Sequence, residues 1–248
     1  MVSVVNRIKA IKQPRGGYIN PKDLERIQFD DGIELGPESI HPSTTGLIID
    51  YLTRFNQGSP VKKAFEISFM GADLAGRTKY AEKYAKGIKG LDDESINNAC
   101  KLVWYDQVYR AGIFPPGEYE GVADKQTCEN VRTMISRSDK FFEDFGPVVL
   151  DGATFPGGYT KTVDAGDCDF VTSDTLWDFK VSVKEPTKEH TLQLAMYYLM
   201  GKRSIVREFA SVSRIGVFNP RLNAAFVLDM GSVPADVIKA IENDVICF

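Results

Sequence analysis

The chain has 248 residues, of which 43% are hydrophobic and 26% charged, a composition typical of a globular protein with a buried core. No apolar run approaches the roughly 20 residues that a membrane-spanning helix needs, and the N-terminus lacks the apolar stretch of a secretory signal. We therefore expect a cytoplasmic protein that does not contact the membrane. The net charge of −4 argues against a protein coated in positive charge for binding nucleic acid.

The four cysteines argue against a zinc site or an iron–sulfur cluster. Such sites usually bring their cysteines close together in sequence, often as Cys-x-x-Cys pairs. Here they are far apart, at Cys100, Cys128, Cys168 and Cys247. We interpret all four as structural thiols.

Residues 1–146 are predicted to be mostly helical. The predicted segments, in chain order, are residues 21–27, 46–55, 61–75, 78–88, 92–111 and 124–145. Capping and helix-breaking residues separate them: Ser59 and Pro60 precede one helix, and a Pro-Pro-Gly sequence at residues 115–117 follows another. We therefore predict a helical region over residues 1–123 that packs on the core or caps it.

The pattern changes at Pro147, where aromatic and β-branched residues become frequent. Predicted strands cover residues 148–150, 159–163, 167–172, 175–183, 211–218 and 224–228. A helix is predicted to follow Pro186 and Thr187 and to run to about Met200, and a last helix begins near Ser232 and Pro234. This order predicts an α/β or α+β core over residues 124–248, with a mixed β-sheet flanked by helices.

A candidate site lies on the predicted strand 175–183. Side chains alternate between the two faces of a strand, so Asp178 and Lys180 share one face while Trp177 and Phe179 share the other. Large apolar residues between two charges are typical of a buried strand with a polar site on one side. Lys180 could hydrogen bond an attacking water or a charged phosphate oxygen there.

The preceding strand supplies a second carboxylate. If residues 173–174 form the turn, Asp169 lies opposite Asp178, with the two Cβ atoms ~5 Å apart. Opposed carboxylates repel each other unless a cation lies between them. Mg²⁺, or Mn²⁺ in its place, suits such a site because Mg²⁺ favours one or two carboxylates, completed by waters and phosphate oxygens.

The identity of the second carboxylate depends on the register of this hairpin. Asp167 shares a face with Asp169, and a slipped turn would make Asp167 the metal ligand instead. The opposed pairing with Asp178 favours Asp169. A solvent-facing cluster of ion pairs is the purely structural alternative for all of these charges.

The helix after this strand carries two further candidates. Gln193 and Tyr197 are four residues apart and therefore share a helix face, and His190 lies on nearly the same face. The apolar residues form a packing stripe, at Leu192, Ala195, Met196 and Leu199. Gln193 and Tyr197 could face the site, although taken alone they also fit an ordinary polar helix surface.

Together these residues resemble the PD-(D/E)XK nuclease superfamily, and the Gln-x-x-x-Tyr spacing is similar to its RecB-type, exonuclease-like branch. The resemblance covers roughly residues 124–230 and implies a restriction-endonuclease-like core. It also implies Mg²⁺-dependent hydrolysis of DNA. By position, the implied metal ligands are Asp169, Asp178 and the backbone carbonyl of Phe179. The implied catalytic lysine is Lys180, and the implied accessory pair is Gln193 and Tyr197.

Other properties of the family match this chain less closely. Some members carry an upstream histidine that contacts the metal, and His41 is the upstream candidate, although a histidine at a helix start is often a capping residue. Many members place a glutamate on the helix before the first strand, for which Glu129 and Glu143 are candidates. Some RecB-type relatives bind an iron–sulfur cluster through clustered downstream cysteines. Only Cys247 lies downstream of the core here, so we predict no cluster.

The resemblance predicts a DNA nuclease, for example an exonuclease in recombination, repair or phage-related DNA processing. The acidic net charge weakens non-specific DNA affinity, which a basic groove could offset locally. Candidate groove residues are Lys184, Lys188, Lys202, Arg203 and Arg207. Two alternatives stay open: a catalytically silent nucleic-acid-binding protein with a nuclease fold, and a metal-dependent hydrolase of RNA or small phosphoesters. Nothing in the sequence indicates the oligomeric state.

Overall fold

The computed structural model describes residues 2–248, which form a mixed α/β structure with two compact units. The sheet unit comprises the chain up to Phe29 together with Phe141–Phe248, and the helical unit comprises Asp30–Lys140. Among the described residues, no helix is both long and apolar enough to cross a bilayer.

Helices occur along the whole described chain. They are α1 (Val4–Ala10), α2 (Pro42–Asn56), α3 (Val61–Ala64), α4 (Glu66–Leu74), α5 (Thr78–Lys86), α6 (Asp93–Val103), α7 (Asp106–Ala111), α8 (Lys125–Phe145), α9 (Lys188–Arg203) and α10 (Ala235–Ala240). The helical unit contains α2 to α7, and the division between the two units falls within α8. A π-helical segment, Ile241–Ile246, continues α10.

The sheet unit contains, within residues 2–248, a mixed sheet of six strands. They are β1 (Glu25–Gln28), β2 (Leu150–Asp151), β3 (Phe170–Val171), β4 (Thr175–Phe179), β5 (Arg214–Asn219) and β6 (Ala224–Asp229). Their order across the sheet is β1-β6-β5-β4-β3-β2. Neighbouring strands β4 and β5 run parallel, and the other neighbours run antiparallel. The predicted mixed sheet flanked by helices is confirmed.

Both faces of β4 are buried, which explains its continuous apolar character. Leu176 packs into a core with α9, whose residues Leu192 and Met196 are fully buried. Trp177 points to the opposite face and joins an aromatic core of Phe141, Phe170 and Phe218. Because strand side chains alternate, Asp178 lies on the α9 side.

Three strand predictions differ from the structure. Residues 159–163 do not form a strand, because the Thr160 hydroxyl accepts hydrogen bonds from the amides of Thr162 and Val163 and closes a local turn. The strands predicted at residues 167–172 and 175–183 shorten to β3 and β4, so Lys180 follows the end of its strand. Its amide still donates to Phe218 O at 2.9 Å, which keeps the backbone extended beside β5.

The predicted division at residue 123 also differs from the observed one. Residues 21–27, expected to be helical, form a short 3₁₀ turn, Pro21–Asp23, and then β1. Strand β1 pairs with β6, and α1 packs against α9, so the N-terminal segment belongs to the sheet unit. These contacts are long-range, and a local sequence pattern does not report them.

Gly216 provides a test of the packing around β4. It pairs with Trp177 across the β4–β5 ladder, and a Cβ atom at this position would overlap the indole ring. We expect Gly216→Ala to lower the free energy of unfolding by roughly 1–3 kcal/mol, the usual effect of overpacking a core. Urea denaturation followed by tryptophan fluorescence measures this change. Gly117→Ala, at a position with open space around it, is the control, and equal stability of both variants would contradict the packing.

Candidate active site

The hairpin of β3 and β4 places two carboxylates opposite each other. Phe170 pairs with Trp177, and Val171 pairs with Leu176. The same register, continued by one residue, sets Asp169 opposite Asp178. At the other end of the hairpin, Thr172 N donates to Thr175 O at 3.0 Å. The predicted register, with its turn at residues 173–174, is confirmed.

Asp178 is a buried carboxylate whose cationic partner is Lys180. Only 2% of the residue is exposed. Lys180 Nζ donates a hydrogen bond to Asp178 Oδ1 at 2.8 Å and lies 2.7 Å from Oδ2. The Oδ2 contact is an ion pair without hydrogen-bond geometry, so this buried oxygen accepts no hydrogen bond. Removing a carboxylate from water is unfavourable, and the Lys180 ammonium offsets that loss.

Asp169 is held against β4 by the backbone. Its Oδ2 accepts a hydrogen bond from Phe179 N at 2.6 Å, and its own carbonyl accepts one from Gly152 N at 2.8 Å. Asp167, the alternative ligand, is exposed, and its backbone forms an isolated bridge with Thr154. The structure therefore favours Asp169 as the carboxylate that approaches Asp178 and Phe179.

Helix α9 covers this side of the sheet with Gln193 and Tyr197. Gln193 Nε2 donates a hydrogen bond to Tyr197 Oη at 3.0 Å, and the Tyr197 ring stacks on Phe155. Burial raises the pKa of Tyr197 strongly, the Gln193 hydrogen bond opposes this shift, and the charges of Asp178, Asp167 and Asp169 raise the pKa further. The phenol is therefore protonated at neutral pH, and all three carboxylates act on it electrostatically.

His190 is a further residue beside the candidate site. Its spacing predicts nearly the same helix face as Gln193 and Tyr197, but it was not among the predicted catalytic residues. It lies one turn before Gln193 on α9. Burial lowers the pKa of His190, the positive charge of Lys180 lowers it further, and Asp178 and Glu189 raise it. The helical spacing of His190, Gln193 and Tyr197 was the available signal.

The upstream candidates lie elsewhere in the chain. His41 belongs to the helical unit and caps α2: its Nδ1 accepts a hydrogen bond from Ser43 N at 3.2 Å and contacts the Ser43 hydroxyl at 2.7 Å. Glu129 is also in the helical unit, where it forms an ion pair with Lys125 at 3.9 Å. Glu143 lies in the sheet unit on the exposed surface of α8. A metal contact of any of these residues stays a prediction.

The predicted basic groove residues fall at opposite ends of α9. Lys184 is exposed before the helix, and Lys188 is its first residue. Lys202 and Arg203 are at the other end, about 20 Å away at 1.5 Å per residue. Lys202 Nζ donates to Ala210 O at 2.8 Å, and Arg203 contacts Glu242 at 3.1 Å. Lys184 and Lys188 therefore lie at the end of α9 that also contains His190.

The donor set suits a hard cation better than zinc. Among residues 2–248, no group of three or more His, Cys, Asp or Glu side chains is arranged to hold a metal ion. Two opposed carboxylates are, however, within the number that Mg²⁺ uses when waters and phosphate oxygens complete its shell. The buried Asp178 Oδ2, which contacts Lys180 Nζ but accepts no hydrogen bond, has acceptor capacity left for such an ion.

Searches of family models, of curated proteins and of solved structures found no significant match to this chain. The geometry of the site is therefore the basis on which its chemistry is inferred.

Asp169 variants separate its backbone contact from its charge. Asp169→Asn keeps an acceptor for Phe179 N and removes the repulsion with Asp178, so we expect metal-free stability equal to or above that of the native protein. Asp169→Ala leaves the amide unpaired, and we expect roughly 1–3 kcal/mol lower stability. Urea denaturation in EDTA measures both. Equal destabilisation by Asn and Ala would contradict the assigned hydrogen bond.

Proposed function

We propose that this protein is a metal-dependent nuclease that hydrolyses phosphodiester bonds of DNA, with its active site at Asp169, Asp178 and Lys180. The observation that carries the proposal is the opposition of Asp169 and Asp178 across the β3–β4 hairpin, with Lys180 Nζ on the buried Asp178 carboxylate. A structural salt bridge needs one carboxylate for one lysine. Two opposed carboxylates beside this lysine match the donor set that Mg²⁺ favours when waters and phosphate oxygens complete its shell.

The order of elements also supports the proposal. Helix α8, the antiparallel strands β2 to β4, helix α9 and the parallel strand β5 follow one another along the chain. This order resembles the restriction-endonuclease-like core of PD-(D/E)XK nucleases. Asp178 near the end of β4 and Gln193 and Tyr197 on α9 are compatible with that resemblance and support the proposal.

Asp169, Asp178 and the carbonyl of Phe179 would hold Mg²⁺ or Mn²⁺. The bound ion would supply Lewis acidity toward the phosphate and lower the pKa of a water molecule. Lys180 would donate a hydrogen bond to the attacking water or stabilise the negative charge that develops on the phosphate. To do so its ammonium must turn from Asp178 Oδ1 toward the substrate, and a cation at Asp178 would favour that change by replacing its charge.

Gln193 and Tyr197 would orient the substrate. Their mutual hydrogen bond fixes the Gln193 amide, and the Tyr197 hydroxyl stays a donor because its pKa is raised. Lys184 and Lys188 add positive charge near the beginning of α9, where a phosphate backbone would approach. Such contacts bind all DNA sequences alike.

Cleavage assays test the proposed activity. We expect the purified protein to cut DNA in Mg²⁺ or Mn²⁺ and not in EDTA, and Lys180→Ala to lower kcat by roughly 10²–10³, the usual loss of one donor to a developing charge. Linear, circular and single-stranded DNA distinguish exonuclease from endonuclease action. The matched control is Lys239→Ala, which removes an exposed lysine of α10.

Lys180→Ala leaves Asp178 buried without its partner, so the variant can also lose stability. Lys180→Gln retains a donor for Asp178 and removes the charge, so it should be less destabilised than Lys180→Ala while showing the same loss of kcat. Unchanged cleavage in a folded Lys180→Gln protein would contradict the proposed role. Cleavage of RNA or small phosphoesters without cleavage of DNA would correct the substrate.

Metal binding has its own test. Mg²⁺ at about 100 times its dissociation constant should stabilise the native protein by about 2.7 kcal/mol, measured as a rise in Tm. We expect Asp169→Asn and Asp178→Asn to abolish the rise, and Lys180→Ala to enlarge it because no ammonium competes for Asp178. Asp236→Asn, on the exposed surface of α10, is the control. Loss of the rise in Asp167→Asn alone would transfer the ligand role to Asp167.

A further inference from the structure

The His190 ring is held by a hydrogen bond that defines which nitrogen carries its proton. Thr187 N donates to His190 Nδ1 at 3.1 Å, as part of the capping box at the start of α9. A nitrogen that accepts a hydrogen bond is unprotonated, so in the neutral ring the proton is on Nε2. The capping geometry therefore makes Nε2–H a donor.

The same ring belongs to the face of α9 that covers the site. His190, Gln193 and Tyr197 follow each other at spacings of three and four residues, which places them on one helix face. Helix α9 packs against β4, and Tyr197 on this face lies within the field of Asp178 and Asp169. His190 itself lies within the field of Lys180 and Asp178.

The two ring nitrogens of His190 therefore have different roles. Nδ1 is committed to the backbone of its own helix, and the opposite nitrogen is the free donor of the ring. In this tautomer Nε2 cannot ligate a metal, because its lone pair belongs to the aromatic system, and the lone pair of Nδ1 accepts from Thr187 N. A capping role alone uses Nδ1 and makes no use of Nε2.

We infer that His190 is a further catalytic residue, whose neutral Nε2–H donates a hydrogen bond to a non-bridging oxygen of the scissile phosphate. This inference rests on the proposed phosphodiester hydrolysis. A neutral donor suits a site that already contains Lys180 and a cation, because it stabilises negative charge on the phosphate without adding another positive charge. The Thr187 amide fixes Nδ1 as the acceptor of the ring and leaves Nε2–H as its donor.

Nuclear magnetic resonance tests the tautomer independently of cleavage. The chain has two histidines, so protein labelled with ¹⁵N-histidine shows two imidazole rings, and a His41→Asn sample assigns them. We expect a protonated Nε2 and an unprotonated Nδ1 for His190 at neutral pH. Thymidine 5′-monophosphate with Mg²⁺, which has no phosphodiester bond to cut, should shift the Nε2 resonance of His190 and not that of His41.

Two isosteric variants separate the cap from the donor. Asn places an acceptor where Nδ1 lies and has no group at Nε2, whereas Gln places a donor where Nε2 lies and has no acceptor at Nδ1. We expect His190→Asn to keep the native Tm and to lose roughly 10²-fold in kcat/KM. We expect His190→Gln to lower Tm and to retain most of the activity. His190→Asn should therefore have the higher Tm, and His190→Gln should have the higher kcat/KM.

Three results would overturn the inference: an Nδ1–H tautomer, an Nε2 resonance that the nucleotide does not move, or native activity in His190→Asn together with loss of activity in His190→Gln. The last would assign His190 to the cap alone. If the native protein cleaves no DNA while the nucleotide still shifts Nε2, the proposed nuclease function fails and phosphate recognition by His190 is supported.

Discussion

The structure around the candidate site depends on the burial of one carboxylate. Asp178 is placed in the middle of a sheet, between an aromatic core on one side and α9 on the other. Lys180 follows two residues later, and the strand's alternation returns its side chain to the same face. The paired charges can be buried together, whereas either one alone would be destabilising. The hairpin then adds Asp169, a second carboxylate opposite Asp178, whose Oδ2 accepts a hydrogen bond from Phe179 N.

Helix α9 contributes both to the core of the sheet unit and to the candidate site. Its first turn is closed by the capping box of Thr187 and His190, and its apolar stripe packs on the sheet. The residues left facing Asp178 are polar and hydrogen bonded, as Gln193 is to Tyr197. The capping box thus begins the helix, and the hydrogen bond between Gln193 and Tyr197 orients two side chains on the face of α9 toward the sheet.

Local patterns were sufficient to predict which candidate residues lie together on the hairpin and on α9, because these residues are close in sequence. The alternation of strand side chains predicted that Asp178 and Lys180 share one face. The two-residue turn predicted that Asp169 lies opposite Asp178. The helical spacing gave Gln193 and Tyr197. The same spacing includes His190. Its proposed role depends on the hydrogen bond from Thr187 N to Nδ1, which the spacing alone does not predict.

The parts of the fold that were predicted wrongly depend on distant contacts. Strand β1 exists because β6 supplies its hydrogen-bond partners, and the sequence of β1 alone is that of a mostly exposed, charged segment. Residues 159–163 have the β-branched composition of a strand, but the Thr160 hydroxyl competes for the amides that a ladder would use. Neither outcome follows from composition.

The pairing of β1 with β6 also has a consequence during protein synthesis. Glu25 pairs with Val227, and the whole helical unit, Asp30–Lys140, is made between them. As the chain leaves the ribosome, β1 emerges first, then the helical unit, and only later the partner strand β6. The helical unit can therefore fold while β1 still lacks its hydrogen-bond partner, and the β5–β6 hairpin supplies that partner afterwards.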